Sequence, residues 1–218
     1  MNKIVAIDGP AGSGKGTISN IVSKKCNLVN IDTGATYRCL ALSVLRNNLN
    51  IEDEQKIIDL SKDIDIRFDI NGKVFLNNED VTDLIRSKEV TQIVSPISSI
   101  VSVRKNMVEL QRKMANNQDV IMEGRDITTV VFPEADYKFY LDATLEERVN
   151  RRIKQNKEKG IDMSYEEVYE NIKARDYNDM HKEVGSLMRT EEQIYIDSTN
   201  MTIDEVANKI INIVKGDN

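Results

Sequence analysis

Short apolar runs alternate with longer stretches of helical periodicity along this chain. Lys3–Ile7, Leu28–Ile31, Val120–Met122, Tyr137–Leu141 and Ile194–Ile196 are brief and rich in β-branched or aromatic residues, which predicts strands. Between them, Lys15–Lys25, Thr36–Leu45, Glu52–Ser61, Ser98–Met114, Leu145–Lys159, Tyr165–Lys182 and Ile203–Val214 predict helices. Ile100, Val103, Met107, Leu110 and Met114 recur at three- and four-residue intervals, a stripe that faces a core. Strand followed by helix, repeated, predicts an α/β fold with a parallel sheet flanked by helices on both faces.

One stretch departs from that rhythm. In residues 64–77, Ile64, Ile66, Phe68 and Ile70 alternate with polar residues, as do Val74 and Leu76, and Asn71-Gly72 lies between the two runs. This is the pattern of an antiparallel hairpin. A hairpin does not belong inside a parallel series, so residues 62–90 are expected to form a small insert. Residues 1–61 and 91–218 then make the core. A second insertion is expected around Lys157–Ser164, where Gly160 separates two helical patterns.

Composition narrows the class. The chain has 218 residues, 30 Lys and Arg against 36 Asp and Glu, and a net charge of −6. That size suits one medium α/β unit with or without an insert, and the acidic balance argues against coating nucleic acid. Basic residues nevertheless collect locally: residues 1–50 hold six against two acidic ones, and 148–159 hold six against one. Cys26, Cys39 and a single histidine, His181, give neither a zinc spacing nor a disulfide framework, which fits a reducing cytoplasm. There is no run of 18 apolar residues to span a membrane, and MNKIVAIDGP reads as a strand rather than a signal peptide. An acidic surface with no evident apolar patch predicts a monomer.

The sharpest chemical signal is Gly9-Pro10-Ala11-Gly12-Ser13-Gly14-Lys15-Gly16-Thr17, placed between a strand and a helix. Such a loop turns backbone N–H groups inward around a polyphosphate at a helix N-terminus, and its lysine reaches the outer phosphates. Gly16 stands where a Mg²⁺-binding hydroxyl usually follows the lysine, and the hydroxyl comes one residue later, at Thr17. The metal is therefore expected to be held by the nucleotide and water. Three further clusters end strands or ride helices. In Asp32-Thr33-Gly34-Ala35-Thr36-Tyr37-Arg38, Gly34 permits a turn, Thr33 offers a hydroxyl at a helix entrance and Arg38 points to the crevice. Glu123-Gly124-Arg125-Asp126 puts a guanidinium fork and a carboxylate at the same edge. Arg148, Arg151 and Arg152 crowd one helix, and Arg175, Asp179 and Lys182 are spaced to share the face of another.

Taken together, GPAGSGKGT, DTGATYR, GRD followed by TVVFP, EERVNRR and RDYNDMHK resemble the bacterial cytidylate kinases over nearly the whole chain. The resemblance implies a P-loop NTPase-type core, a small antiparallel NMP-binding insert and a helical lid at about 151–175. The implied reaction is transfer of the γ-phosphate of ATP to CMP or dCMP. Carried over residue by residue, it implies that Thr33, Ser95, Arg104 and Asp126 read cytosine. Arg38, Arg125 and Arg175 would hold the acceptor phosphate or the group in flight, and Asp179 the sugar. Lys15, Arg125, Arg151 and Arg175 would be the catalytic set, with Arg148, Arg151 and Arg152 on the ATP side. Three positions depart from the family's usual pattern: Lys182 for arginine, Glu123 for aspartate and Thr128 for glycine.

Overall fold

The computed structural model describes residues 2–158 and 160–216. In chain order the elements are β1 (Ile4–Asp8), α1 (Lys15–Cys26), β2 (Val29–Asp32), α2 (Thr33–Arg46), α3 (Glu54–Lys62), β3 (Ile66–Phe68), β4 (Val74–Leu76) and β5 (Glu79–Asp80). They continue with α4 (Lys88–Ser99), α5 (Val101–Met114), β6 (Val120–Gly124), β7 (Tyr137–Asp142), α6 (Leu145–Glu158), α7 (Tyr165–Met180), β8 (Ile194–Asp197) and α8 (Ile203–Lys215). Five strands form a wholly parallel sheet in the order β2-β6-β1-β7-β8. The other three form an antiparallel sheet, β3-β4-β5, with Ile66 opposite Leu76 and Phe68 opposite Val74.

Alternation along β1 sorts the core into two layers. Val5 and Ile7 pack with Ile18 and Val22 of α1, Phe139 of β7 and Val206, Ile210 and Val214 of α8. Ala6 faces the other way, toward Ile31, Met122, Val108 of α5 and Ile127 and Val131 in the π-helical turn at Ile127–Val131. The central strands are covered on both faces, so their sequences read as unbroken apolar runs. The antiparallel sheet has no separate core: Ile66, Val74, Leu76, Val81 and Ile85 share one cluster with Leu40, Ile57, Val90, Ile97, Val103 and Met107. Helices α7 and α8 each begin with a capping box, Ser164 with Glu167 and Thr202 with Glu205, which closes two orphan backbone donors reciprocally at each start.

Four expectations are corrected. The helix expected over Ser98–Met114 begins at Val101, after a break at Ile100, and Lys88–Ser99 forms a separate helix although it carries Pro96 and several β-branched residues. Those are weak helix formers, and burial of Val90 and Ile97 overrides them. Helix α2 starts at Thr33 rather than Thr36, because the Asp32 side chain caps it by accepting from Ala35 N at 3.1 Å. Gly34 is therefore helical, not a turn. It is small because a Cβ there would press to 3.0 Å on both Asp32 Oδ1 and Arg38 Nη1. Helix α7 ends at Met180, so Lys182 lies beyond it and shares no helical face with Arg175. Lys159, the expected end of the helix that begins at Leu145, lies outside the described residues.

Phe139 is fully buried at the centre of the sheet. Phe139→Ala is expected to lower unfolding stability by about 3–5 kcal/mol, read as a shifted urea midpoint with unchanged slope.

Candidate active site

The loop from Gly9 to Lys15 leaves the carboxyl end of β1, the central strand, and feeds α1, whose N-cap is Gly14. Lys15 is 5 % exposed, and its Nζ donates to Gly9 O and Pro10 O, both at 2.8 Å, and to Ser13 Oγ at 3.3 Å. Burial, with Arg125 nearby, lowers its pKa to about 7. Across the loop, burial, reinforced by Asp32, raises Glu123 to about 7. Its Oε1 would be 3.0 Å from a Cβ on Gly16, so a side chain at residue 16 would press on the Glu123 carboxylate. Thr17 is exposed on the first turn of α1.

Every cation the sequence singles out at this edge, other than Arg152, has an acidic or backbone partner. Arg38 Nη2 meets Asp32 Oδ2 at 2.6 Å. Burial alone would raise Asp32, but Arg38 and the helix N–H of Ala35 hold it below the usual carboxylate range. Arg125 Nε meets Asp179 Oδ2 at 2.8 Å, and Lys182 Nζ meets Asp179 Oδ1 at 2.9 Å. Those two cations outweigh burial and depress Asp179. Arg175 lies 4.0 Å from the same carboxylate with its side chain 56 % exposed. Partial burial, with the charges of Arg125, Arg38 and Arg152, lowers its pKa to about 10, which still leaves it fully protonated at neutral pH. Arg104 pairs with Asp126, stands 5.5 Å above the Tyr37 ring and donates to Ser98 O at 3.2 Å. Burial raises Asp126, and Arg104 opposes it. Nε of Arg38 and Nε of Arg104 are buried without an acceptor among the described residues, two donors available to a ligand.

The arginines of α6 divide. Arg148 is buried behind the loop: it donates to Ala143 O and Ala11 O, both at 3.0 Å, and pairs with Asp176, which accepts from Ala11 N at 3.2 Å. It therefore braces the loop and has little left to offer a nucleotide. Arg151 joins Glu147 at 2.8 Å to Ser198, through Nη2 to Ser198 O at 2.7 Å and Nη1 to Ser198 Oγ at 3.0 Å. Arg152 is exposed. Thr33 Oγ1 donates to Glu123 O at 2.8 Å, which ties the ends of β2 and β6 together. Ser95 is exposed on α4, at the wall of a cavity of about 630 Å³ shared with Tyr177, His181 and Lys182.

Sequence reasoning passed over Asp8, Asp176 and Ser198. Asp8, fully buried, accepts from Ile127 N at 2.8 Å and from Thr128 N and Oγ1 at 2.9 and 2.6 Å. Thr128, unusual for the resembled family, thereby anchors the turn that follows Asp126. Asp176 had a signal, since it sits beside Arg175 in the quoted RDYND run. The partners of Asp8 and Ser198 are distant in sequence.

A five-stranded parallel sheet with a phosphate loop after its central strand, faced by a second group of cations at the same edge, is a P-loop kinase. The family model of cytidylate kinase matches residues 5–216. The chain is 46 % identical over 214 residues to a cytidylate kinase of Leuconostoc mesenteroides, covering 97 % of this chain and 96 % of that protein. It is 47 % identical over 210 residues to one of Fusobacterium nucleatum, covering 96 % and 95 %. Among solved structures, TT1252 from Thermus thermophilus matches with a TM-score of 0.51 at 20 % identity, covering 99 % of this chain and 97 % of that one, a likeness of fold. The chain belongs to the cytidylate kinase family. No helix among the described residues is long and apolar enough to cross a membrane.

The Lys15 and Glu123 shifts have opposite consequences for pH. Lys15 is lowered from 10.5, so the unfolded chain binds more protons above about 7 and stability rises with pH from there toward 10.5. Glu123 is raised from 4.5, so the native chain binds more protons below about 7 and stability falls as pH climbs from 4.5 toward 7. The pair therefore costs most near neutrality. A polyphosphate favours protonated Lys15, so titrating ATP into the free protein at about pH 8 should take up protons, less than one per ATP. Calorimetry in buffers of different ionisation enthalpy measures this, and Lys15→Met should abolish the uptake.

Proposed function

We propose that the crevice seats ATP and a cytidine monophosphate with their phosphates facing. The reaction moves the γ-phosphate of ATP to CMP or dCMP and yields ADP with CDP or dCDP. A phosphate oxygen of the acceptor forms the new P–O bond as the bond to the ADP oxygen breaks, so no side chain need become a covalent nucleophile. The observation that supports this best is cationic lining from two directions: Lys15 on the loop, and Arg38, Arg125 and Arg175 facing it. Two polyanions repel on the order of 4 kcal/mol per pair of unit charges at ~4 Å with an effective dielectric of 20, and that repulsion is what the cations offset.

Backbone N–H groups of Gly9–Thr17 and Lys15 hold the ATP phosphates, with Arg151 and Arg152 on the ATP side and Arg148 positioning the loop. Arg38, Arg125 and Arg175 hold the acceptor phosphate, and Asp179 takes the sugar. Thr33, Ser95, Arg104 and Asp126 read the base. Asp126 Oδ1 has no donor among the described residues, and the 4-amino group of cytosine supplies one. Residues 62–90 form the acceptor-side insert and about 151–175 the lid, which excludes water so that ATP is not hydrolysed. Among the described residues no group of three or more His, Cys, Asp or Glu side chains could hold a metal ion alone. Mg²⁺ carried in by the nucleotide would be held mainly by the phosphates and water, with the Glu123 carboxylate beside Gly16 the nearest hard oxygen on the chain. Bound there, Mg²⁺ neutralises charge on the phosphates.

A coupled assay of ADP release across CMP, dCMP, UMP, AMP and shikimate tests the acceptor, and ADP release should be fastest with CMP or dCMP. Lys15→Ala should abolish transfer while circular dichroism shows the fold intact; retained turnover removes Lys15 from the chemistry. Arg175→Ala should cut kcat by ~10³-fold or more, by analogy with other arginines that stabilise a transferring phosphoryl group, with ATP affinity of the open enzyme little changed. A loss confined to ATP binding would contradict that role.

A further inference from the structure

The segment between α7 and β8 runs as a strap across the base-reading pair. Its first half is tied at two points to one residue: Lys182 Nζ donates to Asp179 Oδ1 at 2.9 Å, and Leu187 N donates to Asp179 O at 2.7 Å. Between those ties Gly185 adopts φ +68°, in the left-handed region that side chains disfavour. A Cβ on Gly185 would fall inside the van der Waals envelopes of Asp126 Oδ2 and Arg104 Nη2, and 2.8 Å from Arg104 Cζ. The strap backbone therefore lies directly on the Arg104–Asp126 ion pair. The pair is flanked by the Tyr37 ring, Ser98 O and the β6 end, both members are 5 % exposed, and Asp126 Oδ1 is the edge that no donor among the described residues occupies. Neither partner has slack to yield, because Arg104 Nη1 and Nη2 are both engaged and Asp126 follows a fully buried strand.

We propose that Gly185 is a specificity-determining residue: by presenting only a Cα to the Arg104–Asp126 pair, it sets the orientation in which Asp126 accepts from the amino group of cytosine. The inference deepens the reading of Asp126 as a base reader and rests on it. Uracil offers an oxygen where cytosine offers that amino group, so the discrimination depends on a carboxylate whose free oxygen is held in place. A side chain at 185 rotates the pair and blurs the distinction, while the phosphate loop, joined to this region only through shared walls, keeps its grip on ATP. Gly185 is a positioning residue, acting through Asp126.

The test is a double-mutant cycle on acceptor choice. Gly185→Ala should lower the ratio of kcat/KM for CMP over UMP by about tenfold or more, mainly through KM for the acceptor, with KM for ATP within about twofold. Asp126→Ala should collapse the same ratio, and adding Gly185→Ala to it should change the ratio no further, since residues acting through one contact are not additive. Gly216→Ala is the control for backbone strain: its φ is +74°, nothing lies within 4 Å of a Cβ there, and its kinetics should match the parent. If Asp126→Ala collapses the ratio and Gly185→Ala leaves it intact, the role of Gly185 is wrong and the base-reading assignment stands. If Asp126→Ala leaves the ratio intact, the base-reading assignment fails and the role of Gly185 falls with it. Should Gly185→Ala not fold, a triple variant with Arg104→Ala and Asp126→Ala decides: it clears both side chains that the added methyl group would meet, so recovered folding supports the contact and continued misfolding overturns it.

Discussion

Like charges must be kept together at one edge of the sheet before any substrate arrives, and the structure is organised around that constraint. Unpartnered buried cations are too costly to hold. The chain meets the difficulty by giving the buried guanidinium groups carboxylates: Asp32 for Arg38, Asp126 for Arg104, Asp176 for Arg148 and Asp179 for Arg125. The acids do not serve one purpose. Asp176 fixes the phosphate loop through Ala11 N, Asp32 caps α2, and Asp179 joins cations from two segments. An incoming phosphate therefore competes with carboxylates already in place, which keeps the cations oriented without leaving them bare.

The sheet makes this arrangement possible. In a parallel sheet every strand delivers its carboxyl end to the same edge, where the following loops meet. Asp8 ends β1, Asp32 ends β2 and Glu123-Gly124 ends β6, and these three strands are neighbours. Residues more than a hundred positions apart thus come within hydrogen-bond distance, as Asp8 does with Thr128 and Ala11 with Arg148. Adjacent strand ends also explain why Thr33 bonds to Glu123 O and why Glu123 rises in pKa beside Asp32.

Much of this was legible in the sequence, and the parts that were not share a cause. The five parallel strands, the hairpin and the phosphate loop rest on local signals, namely β-branched runs, Asn71-Gly72 and the glycine spacing, and all appear where expected. Helix α4 was missed because its weak formers are overruled by burial against α2, a tertiary effect. Arg148 looked like one of three lid arginines, since periodicity cannot tell which of Arg148, Arg151 and Arg152 faces the loop; only the packing of α6 against it does. Lys182 meets Asp179 as the spacing implies, but from beyond the helix, because the end of α7, at His181, carries no glycine or proline to mark it. Asp8 was invisible, its role defined entirely by a turn on the far side of a crossover.

The departures from the family's usual residues follow the same logic. Lengthening aspartate to Glu123 brings a carboxylate against the start of α1, beside Gly16. Thr128 adds a hydroxyl that Asp8 accepts from, stiffening the turn behind Asp126. Lys182 keeps the charge of an arginine but reaches Asp179 as a point donor rather than as a fork. The substitutions at 123 and 182 preserve charge and change reach, and the one at 128 adds a polar tie. The sign of the field at the sheet edge is what the reaction requires, while side-chain length adjusts to whichever backbone the neighbouring element provides.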